Sequence, residues 1–289
     1  PISVLVFYAL VVLMVFYFTR DRTITGNGSA PLKDDFPEEN FEKRLKAFCS
    51  ILRNDLVTLD RQSNWNPEHY AELEAEVEVL SSHGVATRKK VLNLQEAIKV
   101  DRKLQSFLLL GVPGAGKSVA LRKLALDMMD EVNATKRIPI YINLREWVPK
   151  RVVDSGRISF DFRDLKSFVL ASITKDDDFL ESFANEYFTR LWHAGRLFFI
   201  FDSFDEISEL LDTGQDEEVV DALSRVISRF IGDHPESKGI LASRIFRRPT
   251  QSFLAQKVLE IRPLSEASVL HGLSRFASFT RERGAVSYT

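Results

Sequence analysis

Four residues at fixed spacing, Gly111, Gly116, Lys117 and Ser118, match the pattern G-x-x-x-x-G-K-[ST] of a phosphate-binding P-loop. Glycines in such a loop let backbone N–H groups approach phosphate oxygens, and the helix that follows directs its positive dipole end at the same anion. The lysine reaches the β- and γ-phosphates, and the serine hydroxyl is a ligand for Mg²⁺. An ordinary glycine turn before a helix is the alternative.

The surroundings of this loop favour nucleotide binding over a simple turn. An apolar strand precedes it, and an amphipathic helix follows it, as a P-loop requires. We predict that Lys117 is also a catalytic contact. The predicted nucleotide contacts are Gly111, Val112, Pro113, Gly114, Ala115, Gly116, Lys117, Ser118 and Val119.

Three acidic residues follow a second apolar strand. Asp202 ends the apolar run, and Asp205 and Glu206 lie just beyond it. A carboxylate at a strand end beside a P-loop is placed to ligate Mg²⁺, and a glutamate just beyond can deprotonate an attacking water. We predict Ser118 and Asp202 as metal ligands, Asp205 as a metal-side or orienting partner, and Glu206 as the general base. A strand that runs into an acidic turn is the alternative.

Alternating strand and helix patterns must position these groups. Apolar runs predict strands at 107–110, 138–143, 197–201, 239–242 and 258–261. Helical periodicity predicts helices within 41–60, 92–103, 162–173, 177–193 and 216–231. Residues 72–79 alternate glutamate with apolar residues, which favours a half-buried strand but leaves a helix open. The alternation predicts an α/β fold in which a parallel sheet carries helices on both faces and binds its ligand at the carboxyl ends of the strands.

Composition narrows the function classes. The chain has 289 residues, of which 45% are hydrophobic, so a sizeable core can form. Its net charge of −2 provides no broad basic field, and we infer no nucleic-acid partner. Cys49 is the only cysteine, which excludes an intrachain disulfide and suits a reducing cytoplasm.

The first 18 residues differ from the rest of the chain. Residues 1–18 carry no charge and are apolar, and they are just long enough to cross a bilayer core of roughly 30 Å. Arg20 and Arg22 follow, which places the C-terminal side in the cytoplasm by the positive-inside rule. We predict a single-pass membrane segment that contacts the lipid bilayer, with the remaining chain cytoplasmic. A signal peptide and a buried helix are the alternatives.

Five segments together resemble the NACHT family, signalling ATPases of the STAND type related to the AAA class. The segments are Gly-Val-Pro-Gly-Ala-Gly-Lys-Ser, Ile-Pro-Ile-Tyr-Ile-Asn-Leu-Arg, Gly-Arg-Leu-Phe-Phe-Ile-Phe-Asp-Ser-Phe-Asp-Glu-Ile, Ala-Ser-Arg and Arg-Pro-Leu-Ser. The resemblance implies a P-loop NTPase fold (AAA/STAND-like) with a five-stranded parallel sheet in the order 5-1-4-3-2. It also implies ATP (or GTP) and Mg²⁺ as cofactors, slow hydrolysis, and assembly into a homo-oligomer on sensing an unknown trigger, in innate or antiphage defence.

The resemblance also adds two candidate site residues. Arg244 falls where the family senses the γ-phosphate, although a plain surface arginine is the alternative. Pro263 falls near the base pocket. Ser203 stands where the family usually has glycine.

The resemblance and the chain pattern divide the sequence into five parts. We expect a membrane helix, a linker, a small helical or extended lead-in, the NTPase domain, and the start of a further helical segment in a truncated chain. Their ranges are 1–18, 19–40, 41–90, 91–265 and 266–289.

Two other functions remain open from the sequence. The first is a scaffold that binds nucleotide without hydrolysing it. The second is a membrane-bound AAA-type remodelling ATPase, for which Arg247 and Arg248 are the nearest arginine-finger candidates.

Overall fold

The computed structural model describes six stretches of the chain. These are residues 38–63, 75–80, 86–91, 94–99, 103–214 and 216–261. The chain divides into two compact units, Pro1–Phe41 and Glu42–Thr289, and apart from residues 38–41 the described stretches belong to the second. The predicted membrane segment (1–18), Pro263 and the predicted C-terminal segment (266–289) lie outside the described residues. Within the six described stretches, no helix is both long enough and apolar enough to cross a bilayer.

The main sheet has seven strands in the order β2-β1-β9-β3-β8-β7-β4. Its strands are β1 (Ala75–Leu80), β2 (Ala86–Val91), β3 (Ser106–Gly111), β4 (Ile138–Asn143), β7 (Leu197–Asp202), β8 (Lys238–Arg244) and β9 (Lys257–Ile261). The last five in the sheet order, β9 to β4, are mutually parallel. The carboxyl ends of β3, β7 and β8 therefore lie at one edge of the sheet.

The predicted five-stranded sheet order was wrong for the sheet as a whole, because two further strands extend it. β1 pairs antiparallel with β9, with Ala75 opposite Ile261, and β2 pairs antiparallel with β1. The sheet is therefore mixed rather than purely parallel. The added hairpin covers the outer edge of β9, whose backbone N–H and C=O groups would otherwise lack partners.

Helices connect the strands. They are α1 (Glu38–Gln62), α2 (Leu94–Lys99), α3 (Lys117–Asp130), α4 (Val132–Thr135), α5 (Phe162–Thr174), α6 (Asp178–Phe183), α7 (Thr189–His193), α8 (Ser208–Asp212) and α9 (Glu217–Gly232). A π-helical turn, Ala184–Phe188, joins α6 to α7. The single helix predicted at 177–193 is thus interrupted at its centre, where the chain widens around buried aromatic side chains.

The two faces of the sheet are covered by different helices, because successive side chains of a strand point to opposite faces. On one face, Phe107 and Leu109 of β3 belong to a buried cluster that includes residues of α1, α2 and α3. On the other face, Phe199 of β7 packs against Phe230 of α9 and Trp192 of α7, with ring centroids 5.0 and 5.5 Å apart. The prediction of helices on both faces is confirmed.

A separate hairpin, β5 (Arg151–Asp154) and β6 (Arg157–Phe160), was not predicted. Its turn residues Ser155 and Gly156 have φ of +51° and +80°. Two consecutive positive φ angles are typical of a tight hairpin turn. The hairpin follows β4, and Arg151 forms an ion pair with Glu209 of α8 at 3.4 Å.

Candidate nucleotide-binding site

The predicted P-loop connects β3 to α3. Gly114 and Gly116 have φ of +76° and +86°, a region that glycine occupies without strain. Gly116 caps the N-terminus of α3, which begins at Lys117. The loop turns back on itself through a hydrogen bond from the Ala115 N–H to the Val112 carbonyl, at 3.2 Å. The loop is therefore wound so that the free N–H groups of the α3 N-terminus lie beside it.

Glycine is favoured at position 111 because the backbone of β9 and the side chain of Lys117 approach it closely, and not because of its own φ. A Cβ atom added there would lie 3.2 Å from the Ile261 carbonyl oxygen at the end of β9 and 3.3 Å from Cγ of Lys117. A larger residue would push the lysine stem or the neighbouring strand away. The first glycine of the motif thus sets the path of Lys117.

Lys117 lies across the mouth of the loop. Its Nζ donates hydrogen bonds to the carbonyl oxygens of Gly111 at 3.0 Å and Val112 at 3.2 Å. Burial lowers the pKa of Lys117, and the charge of Asp205 opposes that shift, as do the weaker effects of other acids. The charges that act on Lys117 are those of Asp205, Arg244, Asp202 and Glu206. The predicted lysine and the predicted acids therefore belong to one site.

Asp202 ends β7 and is buried, with 3% of its surface exposed. The hydroxyl of Tyr141, on β4, donates a hydrogen bond of 2.7 Å to its Oδ2. Burial raises the pKa of Tyr141 far above its usual value, and the adjacent Asp202 carboxylate raises it further. The phenol therefore stays protonated and remains a donor to Asp202. Sequence reasoning missed Tyr141, whose only signal is one hydroxyl in the otherwise apolar run of β4.

The chain turns sharply after Asp202. Ser203 has a φ of +62°, which explains why glycine suits this position in the family that the sequence resembles. A 3₁₀ turn, Phe204–Glu206, follows and aims the next two acids toward β8.

Arg244, the last residue of β8, contacts both of those acids. Its backbone N–H donates to Asp205 Oδ1 at 3.1 Å, and its Nε lies 3.0 Å from Asp205 Oδ2. Its Nη2 donates to Glu206 Oε1 at 2.6 Å. The strand register places Arg244 directly opposite Gly111 of the P-loop. The predicted sensor therefore lies beside the predicted phosphate loop and holds the predicted base.

A second arginine, Arg145, lies near Glu206. It belongs to the 3₁₀ turn that follows β4, and its Nη1 is 3.8 Å from Glu206 Oε2. Its side chain is 71% exposed, so the contact is weak and leaves the guanidinium accessible. Arg145 ends one of the five segments that resemble the family, but no site role was predicted for it, because its partner Glu206 follows 61 residues later, in the turn after β7.

The residues present fit a nucleotide and a divalent ion. The P-loop supplies free helix N-terminal N–H groups and a lysine for phosphate oxygens. Ser118 and Asp202 supply a hydroxyl and a carboxylate, the oxygen donors that Mg²⁺ prefers. The described residues contain no group of three or more His, Cys, Asp or Glu side chains that would hold a metal ion. Mg²⁺ usually binds through one or two protein oxygens together with phosphates and water, and Ser118 and Asp202 could supply such oxygens.

Fold and site together define a P-loop nucleoside-triphosphatase domain. A family model described as the NACHT domain matches residues 105–278, more than half of the chain. The chain therefore belongs to the NACHT family, and nucleotide binding follows from that membership.

Comparison with other proteins adds little beyond the family. No curated protein matches the sequence. Among solved structures, the "Structure of C. elegans PCH-2" is similar at 13% sequence identity with a TM-score of 0.27. That similarity covers 59% of this chain and 37% of the other, so the chain spans well under half of that relative.

Proposed function

We propose that this protein is an ATPase that binds ATP with Mg²⁺, hydrolyses it slowly and uses the bound nucleotide as a signalling state. The observation that carries the proposal is the junction of three strand ends. The P-loop after β3, Asp202 at the end of β7 and Arg244 at the end of β8 share one edge of the sheet, and their charges act on Lys117. GTP is the alternative nucleotide.

Each residue has a proposed role. Lys117 neutralises the β- and γ-phosphates, while Ser118 and Asp202 hold the Mg²⁺, which supplies further charge neutralisation when bound. Glu206 orients and deprotonates the attacking water. Arg244 stabilises the charge that develops on the transferred phosphoryl group.

For Asp205 we propose the orienting role rather than a direct metal contact. Both of its carboxylate oxygens face Arg244, one at the backbone N–H and one at Nε. An acid engaged in this way fixes the direction of the guanidinium. Pro263 remains a proposed contact of the nucleotide base.

The wider signalling role rests on the family and on the N-terminal sequence. We propose that nucleotide exchange or hydrolysis releases contacts to the γ-phosphate, and that the resulting change in packing leads copies of the chain to assemble on a trigger. The apolar, uncharged residues 1–18 support membrane anchoring with the NTPase domain on the cytoplasmic side. A defence role is the proposal that the family suggests.

A non-hydrolysing scaffold is the second candidate, and one contact favours it. Glu206 accepts a 2.6 Å hydrogen bond from Arg244 and faces Arg145 as well, so the proposed base is engaged. A glutamate that accepts this hydrogen bond is directed at Arg244 and not at an attacking water.

The substitution Glu206→Gln separates the two candidates. If Glu206 is the base, phosphate release should fall by roughly 10²- to 10⁴-fold while ATP binding is retained. Glu209→Gln, in the next helix, is the matched control and should hydrolyse ATP at the wild-type rate. ATP binding without phosphate release above background, in wild type and in Glu206→Gln alike, would favour the scaffold.

A further inference from the structure

A buried line of polar side chains connects α1 to Asp202. At its outer end, Asp60 of α1 is only 1% exposed, and its Oδ1 accepts a hydrogen bond from Nε of Arg122. Its second oxygen, Oδ2, has no hydrogen-bond partner among the described residues. Among the described residues, Arg122 therefore compensates the negative charge of the buried Asp60 carboxylate.

Arg122 carries the connection into the site. It lies on α3, the helix that begins at Lys117, and its side chain is 9% exposed. The charge of the guanidinium also acts on the neighbouring Tyr141 hydroxyl, where it opposes the rise in the pKa of Tyr141. The same hydroxyl donates to Asp202 Oδ2 at 2.7 Å.

The order of these groups fixes the direction of the phenol proton. A carboxylate can only accept, so the single proton of Tyr141 points to Asp202. The phenol oxygen then leaves its lone pairs for the neighbouring cation of Arg122. Asp60 in turn holds Arg122 through the hydrogen bond to its Nε.

We propose that Tyr141 is a positioning residue for Asp202, and that α1, through Asp60 and Arg122, sets the affinity of the nucleotide site for its divalent ion. The proposal rests on the proposed function, because it takes Asp202 as a ligand of that ion. It gives α1 a regulatory role, although this helix lies before the residues that match the NACHT domain.

The packing of α1 makes such a role physically reasonable. Leu56 belongs to the buried cluster that includes Leu121 and Leu124 of α3. Arg53 forms an ion pair with Asp130 at the end of α3, at 2.5 Å. A displacement of α1 would therefore act on α3, the helix after the P-loop, and would at the same time separate Asp60 from Arg122.

The first test replaces only the hydroxyl, with Tyr141→Phe in the full chain. The affinity for Mn²⁺ is measured from the electron paramagnetic resonance signal of the free ion, in the presence of a non-hydrolysable ATP analogue. Loss of an outer partner of a metal ligand typically costs 10- to 100-fold in metal affinity, so we expect the Kd for Mn²⁺ to rise by roughly that factor. Nucleotide affinity in EDTA, which reports the P-loop alone, should stay within about twofold of wild type.

The second test acts on α1. Asp60→Asn should weaken Mn²⁺ binding in the same direction, by roughly tenfold. Because this change leaves Arg122 buried without its partner, the double variant Asp60→Leu/Arg122→Met provides a form in which apolar side chains replace the pair, and it should show the same loss. Asp55→Asn is the matched control, since Asp55 lies on α1 and pairs with Lys175 away from Tyr141. It should bind Mn²⁺ as wild type does.

The outcomes distinguish a failure of the proposed function from a failure of the present proposal. A wild-type chain that binds neither nucleotide nor Mn²⁺ contradicts the proposed function and the present proposal with it. Wild-type Mn²⁺ affinity in Tyr141→Phe overturns the positioning role while the proposed function stands. A loss of nucleotide affinity in EDTA that parallels the loss of Mn²⁺ affinity would show a merely structural effect of Tyr141→Phe. That result would also overturn the positioning role. Unchanged Mn²⁺ affinity in both Asp60 variants, or an equal loss in Asp55→Asn, overturns the role of α1.

Discussion

Arg244 contacts Asp205 twice, through its backbone and through its side chain. The Arg244 N–H donates to Oδ1 at 3.1 Å, and Nε lies 3.0 Å from Oδ2. Asp205 is 2% exposed, whereas the side chain of Arg244 is 35% exposed. The carboxylate is thus the buried member of the pair, and the arginine is the partly exposed one.

This pair should contribute measurably to stability. We expect Asp205→Ala to lower the free energy of unfolding by about 1–3 kcal/mol, because the backbone N–H of Arg244 loses its acceptor and the guanidinium loses its ion-pair partner. The partial exposure of Arg244 keeps the cost below that of a fully buried pair. Urea unfolding measures the change. The exposed Asp212→Ala should stay within about 0.5 kcal/mol of wild type, and an equally stable Asp205→Ala would contradict the pairing.

The P-loop glycines allow a test that separates strain from function. Gly114→Ala and Gly156→Ala each place a Cβ at positive φ, +76° and +80°, with no atom within 4 Å. Both should therefore cost about 1–2 kcal/mol in stability, from backbone conformation alone. Only Gly114→Ala should weaken nucleotide binding, because relief of its strain turns loop N–H groups away from the phosphates. Equal nucleotide affinity in the two variants would argue against the loop as the phosphate site.

Cys49 reports on the packing of α1. Burial raises the pKa of Cys49 to about 11 from an ordinary 9.0, an effect that the charge of Arg196 partly opposes. The thiolate fraction at about pH 8 is then roughly 100-fold lower than for an ordinary thiol, and alkylation by iodoacetamide should slow accordingly. Mass spectrometry follows the reaction at this single cysteine.

The same shift has a defined sign for stability. A thiol whose pKa is higher in the folded than in the unfolded chain stabilises the fold at any pH below the pKa of the unfolded chain. This contribution is lost as the pH rises from about 9 through about 11. Alkylation should become fast in denaturing urea. Fast alkylation of the folded chain at about pH 8 would show that α1 does not pack as described.

Features encoded in short segments were predictable from the sequence. The strand before the P-loop, the loop itself and the start of α3 follow from glycine spacing and apolar runs. The strand that ends at Asp202 follows from the apolar run at 197–201, and all six residues of Leu197–Asp202 are buried. Local patterns specify these elements because the backbone conformation and the burial of each depend on neighbouring residues.

Features that depend on distant pairing were not predictable. The alternation at 72–79 indicates a strand, but nothing local states that β1 pairs with β9. Tyr141 and Asp202 are 61 residues apart, and Asp60 and Arg122 are 62 apart. Such contacts exist only once the sheet has assembled, and a single sequence carries no signal for them beyond a polar residue in an apolar run.

The central claim is that the loop around Lys117 binds a nucleoside triphosphate with a divalent ion. Calorimetric titration of the full chain with ATP in magnesium buffer tests it most directly, beside Lys117→Ala and the control Lys123→Ala on the same helix. Loss of a charged hydrogen-bond partner should weaken binding by roughly tenfold or more in Lys117→Ala, while Lys123→Ala binds as wild type does. No heat of binding from wild type with ATP or GTP, or equal affinity in Lys117→Ala, would contradict the account.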